Sequence, residues 1–416
     1  MTYSNIIING ILSDLTVDDG LITDISPVQT RHWDVSNVFV KPNDQSKLPC
    51  FGMARKRGCG ETNLTLAIPS LVNMHTHSAM TLLRSAGSGM PLFQWLNEAI
   101  FPIEAKLSPN DIYHGALQAC NEMANSGTSA FNDMYFSIES TIRAAIETNI
   151  SGNIALSVTD KDFSDGTVAR FVKKFDSLCS RLPSGNPQLS ISLAPHAIYT
   201  VNGRNLQYAA DFAKEHDTLF HIHLSETRKE REDCLREHGV PPVVYLDRLG
   251  IFDKVGSRFV GAHALWLDDD EIGILGSHHA TVVHCPCSNL KLGSGFRFLY
   301  TELRDAGVNV TLGTDGSASS DNLNLVEAAK FMSLLQKGWR NDPAVLPADE
   351  LFRVASTNGR RALRLPDNSI RPGNIADFFL IPLSLNAFWG VDYSQPPKQL
   401  HLDLLNRLFF ASGHYE

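Results

Sequence analysis

Two histidine pairs and one strand-ending aspartate are the residues best equipped for chemistry in this chain. In Leu71-Val72-Asn73-Met74-His75-Thr76-His77 an apolar run ends in two histidines one residue apart. Side chains at i and i+2 of a strand point to the same side, so both imidazoles reach one metal ion. Phe220-His221-Ile222-His223-Leu224-Ser225-Glu226 repeats the pair and adds a carboxylate three residues further on. A catalytic zinc needs a few protein ligands, an open position for water and a general base beside it. One histidine of this second pair completes the ligands and Glu226 supplies the base. His221 reads instead as a core histidine, or as one supporting a ligand from behind. Val310-Thr311-Leu312-Gly313-Thr314-Asp315-Gly316 runs an apolar strand into an aspartate flanked by glycine, a natural last ligand. Taken alone, Asp315 would read as the cap of the next helix.

His196 follows Leu193-Ala194-Pro195 and His263 follows Val260-Gly261-Ala262. Each is evenly balanced between a packed histidine and a site residue. Jointly, five strand ends carry His, Glu or Asp, and that constellation points to a metal-dependent hydrolytic site. His284 belongs to it less firmly, and His278-His279 read as solvated loop. The cysteines number seven and are irregularly spaced, which suits reduced thiols. Cys285 and Cys287 lack a second pair at zinc-finger spacing and are not assigned to metal.

These residues need rigid elements behind them. Short apolar runs of strand length recur at Ser129–Met134, Asn153–Val158, Leu189–Leu193, Leu219–Leu224, Phe259–Ala262, Thr281–His284 and Val308–Leu312. Helical periods lie between them, at Ser108–Ser126, Asn205–Glu215, Thr227–Glu237 and Leu323–Lys337. Alternation over most of the chain predicts a parallel sheet closed into a (β/α)8 barrel. Asn5–Leu12 and Leu21–Ile25 read as strands around an Asp18-Asp19-Gly20 turn, and Ala376–Ile381 as a strand outside the barrel's rhythm. Paired together, they would make a small β-domain from both chain ends, 1–67 with 369–416, around a catalytic barrel at 68–368. From about Arg31 to Leu66 the pattern is loose.

The net charge of −9 and the absence of a basic run longer than Arg55-Lys56-Arg57 argue against nucleic acid or an anionic membrane as partner. No apolar stretch has membrane-span length and no leader pattern opens the chain, so a cytoplasmic protein acting on a small molecule is expected.

With these residues in view, the chain resembles the amidohydrolase superfamily, and within it the S-adenosylhomocysteine and 5′-methylthioadenosine deaminases, relatives of the triazine hydrolases. The motifs are Asn73-Met74-His75-Thr76-His77 with Met80-Thr81-Leu82-Leu83-Arg84, Trp95-Leu96 with Pro102-Ile103-Glu104, and Ala194-Pro195-His196 with Tyr199-Thr200. They continue through His223-Leu224-Ser225-Glu226-Thr227 and Ser288-Asn289-Leu290-Lys291-Leu292 to Leu312-Gly313-Thr314-Asp315-Gly316. The resemblance implies that His75, His77, His223 and Asp315 hold one divalent metal, zinc before iron or manganese. It implies that Glu226 shuttles protons and that His263 orients the attacking water, Asp315 serving also in catalysis. His196, Glu104 and Trp95 would bind the substrate, Glu104 at the ribose and Trp95 near the base. It further implies a β-sandwich from both termini, and it is compatible with a homo-oligomer. The activity implied is hydrolytic removal of ammonia from an adenine-type nucleoside: adenosine, 5′-methylthioadenosine, 5′-deoxyadenosine or S-adenosylhomocysteine.

Departures narrow this. Relatives that take adenosylhomocysteine carry arginines after the strand that here reads Ile154–Asp160, and Arg170 is out of register with them. A substrate without an amino-acid tail is therefore favoured. Cys285-Pro286-Cys287 replaces the usual Asn-Pro, and relatives continue past Glu416, so an incomplete small domain is expected. Hydrolysis of another amino- or chloro-substituted ring (triazine, guanine, cytosine or pterin) is the alternative, ahead of a non-catalytic barrel.

Overall fold

Strands β6 (Thr128–Tyr135), β9 (Phe220–Leu224) and β10 (Phe259–His263) are buried at every position, the signature of a parallel sheet covered on both faces. The computed structural model describes residues 1–28 and 64–411 except 384 and 389, and leaves aside the side chain of 386. The loose stretch from Arg31, the Arg55-Lys56-Arg57 run, Cys50, Cys59 and the segment after 411 lie outside the described residues.

Eight parallel strands alternate with helices in two runs of four, as expected. One run is β5 (Leu71–Thr76), β6, β7 (Ser151–Val158) and β8 (Leu189–Pro195); the other is β9, β10, β11 (Thr281–His284) and β12 (Asn309–Leu312). Backbone bonds close the ring at both seams. His223 N–H donates to His196 O at 3.0 Å between the runs, and Asp315 N–H donates to His75 O at 2.9 Å where β12 returns to β5. The helices carry their own start signals. Ser108 and Asp111 form a capping box under Pro109–Asn125, whose Ile112, Ala116, Ala119 and Met123 are buried. Thr227 and Asn324 cap Arg228–His238 and Leu325–Arg340.

The barrel floor is polar. Asn153 Nδ2 donates to Asn132 Oδ1 and Ser192 Oγ, both at 2.9 Å. The Asn132 amide in turn reaches Met74 O at 3.1 Å and His221 Nδ1 at 3.1 Å. All four side chains are buried, so their mutual bonding removes the cost of placing amides in a core.

Strands from both chain ends form a separate five-stranded sheet in the order β13-β4-β1-β2-β3. Its members are β1 (Thr2–Ile8), β2 (Ile11–Asp18), β3 (Leu21–Pro27), β4 (Thr65–Pro69) and β13 (Phe378–Pro382). The expected strand Asn5–Leu12 is in fact a hairpin. Asn9 and Gly10 adopt φ of 50° and 78°, the left-handed pair a two-residue turn requires, and Ile8 pairs with Ile11 across it. Among the described residues this sheet is one layer rather than the two of a sandwich. Pro397–Asn406, from the segment expected to complete it, is a helix whose Leu400, Leu404 and Leu405 enter the large core.

Barrel and sheet are tied by Arg360, buried at 6% side-chain exposure. Its guanidinium pairs with Asp377 at 2.5 Å, and Asp377 also accepts from Ser129 Oγ at 2.8 Å.

Candidate active site

The sequence places His75, His223 and His263 at or beside the C-terminal ends of their strands, with His77, Glu226 and Asp315 in the first residues beyond. The fold brings all six together. His77 Nε2 lies 3.2 Å from His223 Nε2, and Asp315 Oδ1 lies 3.4 Å from His75 Nε2 and 3.3 Å from His77 Nε2. Two overlapping donor groups, His75 with His77 and His223, and His75 with His263 and Asp315, each fall within 4.8 Å. Ser225, His263, Ala264 and Asp315 all carry positive φ, between 47° and 75°. Non-glycine residues held there are strained, and such strain gathers at functional sites.

The donors fit a divalent first-row cation. Burial pushes His75 down to about 4 and His263 down to about 4, and holds His223 well below the usual imidazole range, so their lone pairs are free. Burial opposes ionisation of Asp315, but the adjoining His75 and His77 imidazoles hold it well below the usual carboxylate range. His75 Nε2 is buried with no hydrogen-bond partner, a group that a bound cation would satisfy. Neutral imidazoles and one carboxylate are the protonation states such an ion requires.

Supporting contacts fix each ring. His77 Nδ1 faces Met134 O at 2.5 Å, and His223 Nδ1 faces His196 O at 2.7 Å. His75 Nδ1 lies 3.0 Å from His221 Nε2. His221 thus backs the His75 ring and links it to the floor amides. Asp315 Oδ2 accepts from Ser288 at 2.6 Å and Ser319 at 2.9 Å, and Oδ1 from Gly316 N–H at 2.7 Å.

Glu226 stands at the edge of this cluster, with Oε2 3.8 Å from His263 Nε2 and Oε1 accepting from Ser294 at 3.1 Å. Burial and the Asp315 charge push its carboxyl up to about 8. Its main chain is held by Glu230, whose carboxylate accepts from Ser225 N–H at 2.9 Å and Glu226 N–H at 2.8 Å. His263 Nδ1 is met by the Asn289 amide at 2.9 Å.

A cavity of about 240 Å³ opens over the cluster and includes Trp95, Glu104 and His196 in its wall. Glu104 accepts from Tyr135 at 2.8 Å, and burial raises its pKa. His196 Nδ1 faces Thr200 Oγ1 at 3.0 Å, and burial pushes the ring down to about 3. Trp95 donates to Ala86 O at 2.8 Å, leaving its ring to the wall. Cys285 is buried and Cys287 half-buried, and neither belongs to the donor groups. Sequence reasoning missed Glu230, Tyr135, Ser294 and Ser319. Only Glu230 carried a signal, as the third residue after the capping Thr227.

The family model for the amidohydrolase family matches residues 66–403. A 5′-deoxyadenosine deaminase of Methanoregula boonei is 40% identical over 334 residues, 79% of this chain and 75% of that protein. A 5-methylthioadenosine/S-adenosylhomocysteine deaminase of Archaeoglobus fulgidus is 39% identical over 349 residues, 83% of this chain and 78% of that one. Among solved structures, an adenosine deaminase from Xanthomonas campestris with bound zinc superposes with a TM-score of 0.78 at 30% identity, covering 93% of this chain and 83% of that one. An atrazine chlorohydrolase from Arthrobacter aurescens shares the fold, with a TM-score of 0.73 at 22% identity over 94% of this chain and 86% of that one. By this match and by the barrel that carries its donors, the chain belongs to the amidohydrolase family.

Proposed function

We propose that the chain is a metal-dependent deaminase of adenine-type nucleosides, holding one divalent ion, zinc first, on His75, His77, His223 and Asp315. The observation that carries this reading is Glu226, a buried carboxyl beside His263 at the edge of the donor cluster. Likeness to deaminases of 5′-deoxyadenosine and 5-methylthioadenosine supports the substrate class.

When bound, the ion supplies Lewis-acid activation of water. Glu226 takes the proton of the attacking water and delivers it to ring nitrogen N1 as C6 becomes tetrahedral. A carboxyl pushed up to about 8 suits both directions of that transfer near neutral pH. His263, fixed by Asn289, directs its Nε2 toward Glu226 and orients the water between them. Glu226 then passes the proton of the new C6 hydroxyl to the amino nitrogen, and collapse breaks the C6–N bond, forms the C6 carbonyl and releases ammonia. In this reading Glu104, steadied by Tyr135, holds the ribose hydroxyls, His196 bonds the substrate and Trp95 packs near the base.

The test is ammonia release by the zinc-loaded protein across adenosine, 5′-deoxyadenosine, 5′-methylthioadenosine, S-adenosylhomocysteine, guanine, cytosine and a pterin. Turnover confined to adenine nucleosides is expected. Turnover of a free base or pterin alone would remove the ribose role given to Glu104. Chloride release from a chlorotriazine, without ammonia from any nucleoside, would overturn the reading.

A further inference from the structure

We infer that Asp162 makes this cavity discriminate by charge at the 5′ end of its ligand, refusing anionic substituents and accepting neutral or cationic ones. The inference rests on the nucleoside reading above and names the substrate class within it.

The cavity wall, among the described residues, holds four carboxylates and neither lysine nor arginine. Three of the four have roles already: Glu226 and Asp315 at the reacting centre, and Glu104 on Tyr135. Asp162 is the fourth. It lies in the first turn of the short helix Asp160–Ser164 that follows β7, a strand that gives nothing to the donor cluster. Its Oδ2 accepts from both the N–H and the hydroxyl of Thr159, at 2.8 Å each. No donor among the described residues reaches Oδ1. Half-buried in this wall, Asp162 has neither lysine nor arginine beside it there.

The cations around this rim turn elsewhere. Lys161 is exposed and absent from the wall. Arg170 donates to Asp165 O at 3.1 Å and Thr167 Oγ1 at 2.8 Å, on the solvent side. Lys229 is paired with Asp233 at 2.5 Å. Ser157, Thr159 and Asp162 belong to the same cavity wall but not to the donor cluster, and on the nucleoside reading the 5′ end is set against them. A carboxylate or phosphate there would meet like charge in a partly dehydrated space, an arrangement that acts by repulsion. An ammonium or sulfonium would meet an unpaired acceptor.

Three matched ligands test this: 5′-deoxyadenosine, 5′-amino-5′-deoxyadenosine and adenosine 5′-carboxylate, each assayed for kcat/KM with zinc-loaded protein. The anionic compound is expected to fall below the neutral one by on the order of 100-fold, the cationic one to equal or exceed it. Asp162→Asn keeps a carbonyl oxygen for Thr159 and removes the charge, so the anion-to-neutral ratio is expected to rise about tenfold. Equal values for the anionic and neutral ligands in the unmodified protein, or an unchanged ratio in the variant, would overturn the inference. Equilibrium binding of the same three to Glu226→Gln protein reads the order without turnover. That order in a protein that deaminates none of them would sink the deaminase reading and leave the charge rule standing. Loss of the order would sink the rule whatever the turnover.

Discussion

The main-chain N–H of Asp315 donates to the carbonyl of His75 at 2.9 Å, so the bond that closes the barrel also joins two residues of the candidate donor group. Gly313 permits it: a Cβ there would stand 2.9 Å from both His75 N and His75 O, and 2.8 Å from Val283 Cγ1. Gly313→Ala is therefore expected to push β12 away from β5, at a cost of about 1–3 kcal/mol in stability. Zinc affinity, measured by chelator competition, should fall together with the unfolding midpoint. Wild-type affinity in a stable variant would show that the seam does not position the donors.

Glu226→Gln keeps the volume and the Ser294 contact but cannot shuttle a proton. Deamination should drop by roughly 10²–10⁴-fold while metal content stays at the wild-type level. Metal analysis beside the kinetics separates loss of the shuttle from loss of the ion.

His284 gives a signed dependence on pH. Both of its ring nitrogens are buried without a hydrogen-bond partner, and burial pushes the ring down to about 3. In the unfolded chain a histidine takes its proton near 6.5. A folded value below the unfolded one gives stability that is complete above pH 6.5 and lost as pH falls from there toward 3. His284→Leu should flatten the acid limb of the metal-free protein's stability profile by about one proton. Denaturant titrations at stepped pH would read it, and parallel limbs would show that His284 is silent.

Arg360→Ala would strand the Asp377 carboxylate on Ser129 alone. A loss of about 3 kcal/mol in unfolding free energy is expected, with kcat of the folded protein retained. A change in kcat at unchanged stability would contradict a purely architectural role.

Much of this was legible in the chain because barrel strands bury both faces and so read as unbroken apolar runs ending in polar residues. Phe259–His263 and Thr281–His284 are such runs, and each ends in its histidine. The Asn9-Gly10 turn was hidden for the opposite reason: isoleucines and leucine continue on both sides of it, so the apolar run masks the reversal. The pairing of Asn132 with Asn153 and His221 could not be read at all. It joins three strands through side-chain amides, and a strand's own pattern says nothing about which neighbour faces it. Glu230 reads as an ordinary capping residue until the positive φ of Ser225 shows that the backbone it holds is bent.

Ser70 alone separates β4 from β5, and its carbonyl accepts from Ser356 Oγ at 2.7 Å and Asn368 Nδ2 at 3.2 Å. The joint between sheet and barrel is thus clamped by residues 286 and 298 positions further along the chain. Until β13 emerges, β4 has β1 on one side and an open edge on the other. Open edges recruit other strands and chaperones alike. A nascent chain that already carries His75, His77, His223 and Asp315 would still present this edge. Products released before β13 are expected to meet proteolysis rather than accumulate as partial enzymes.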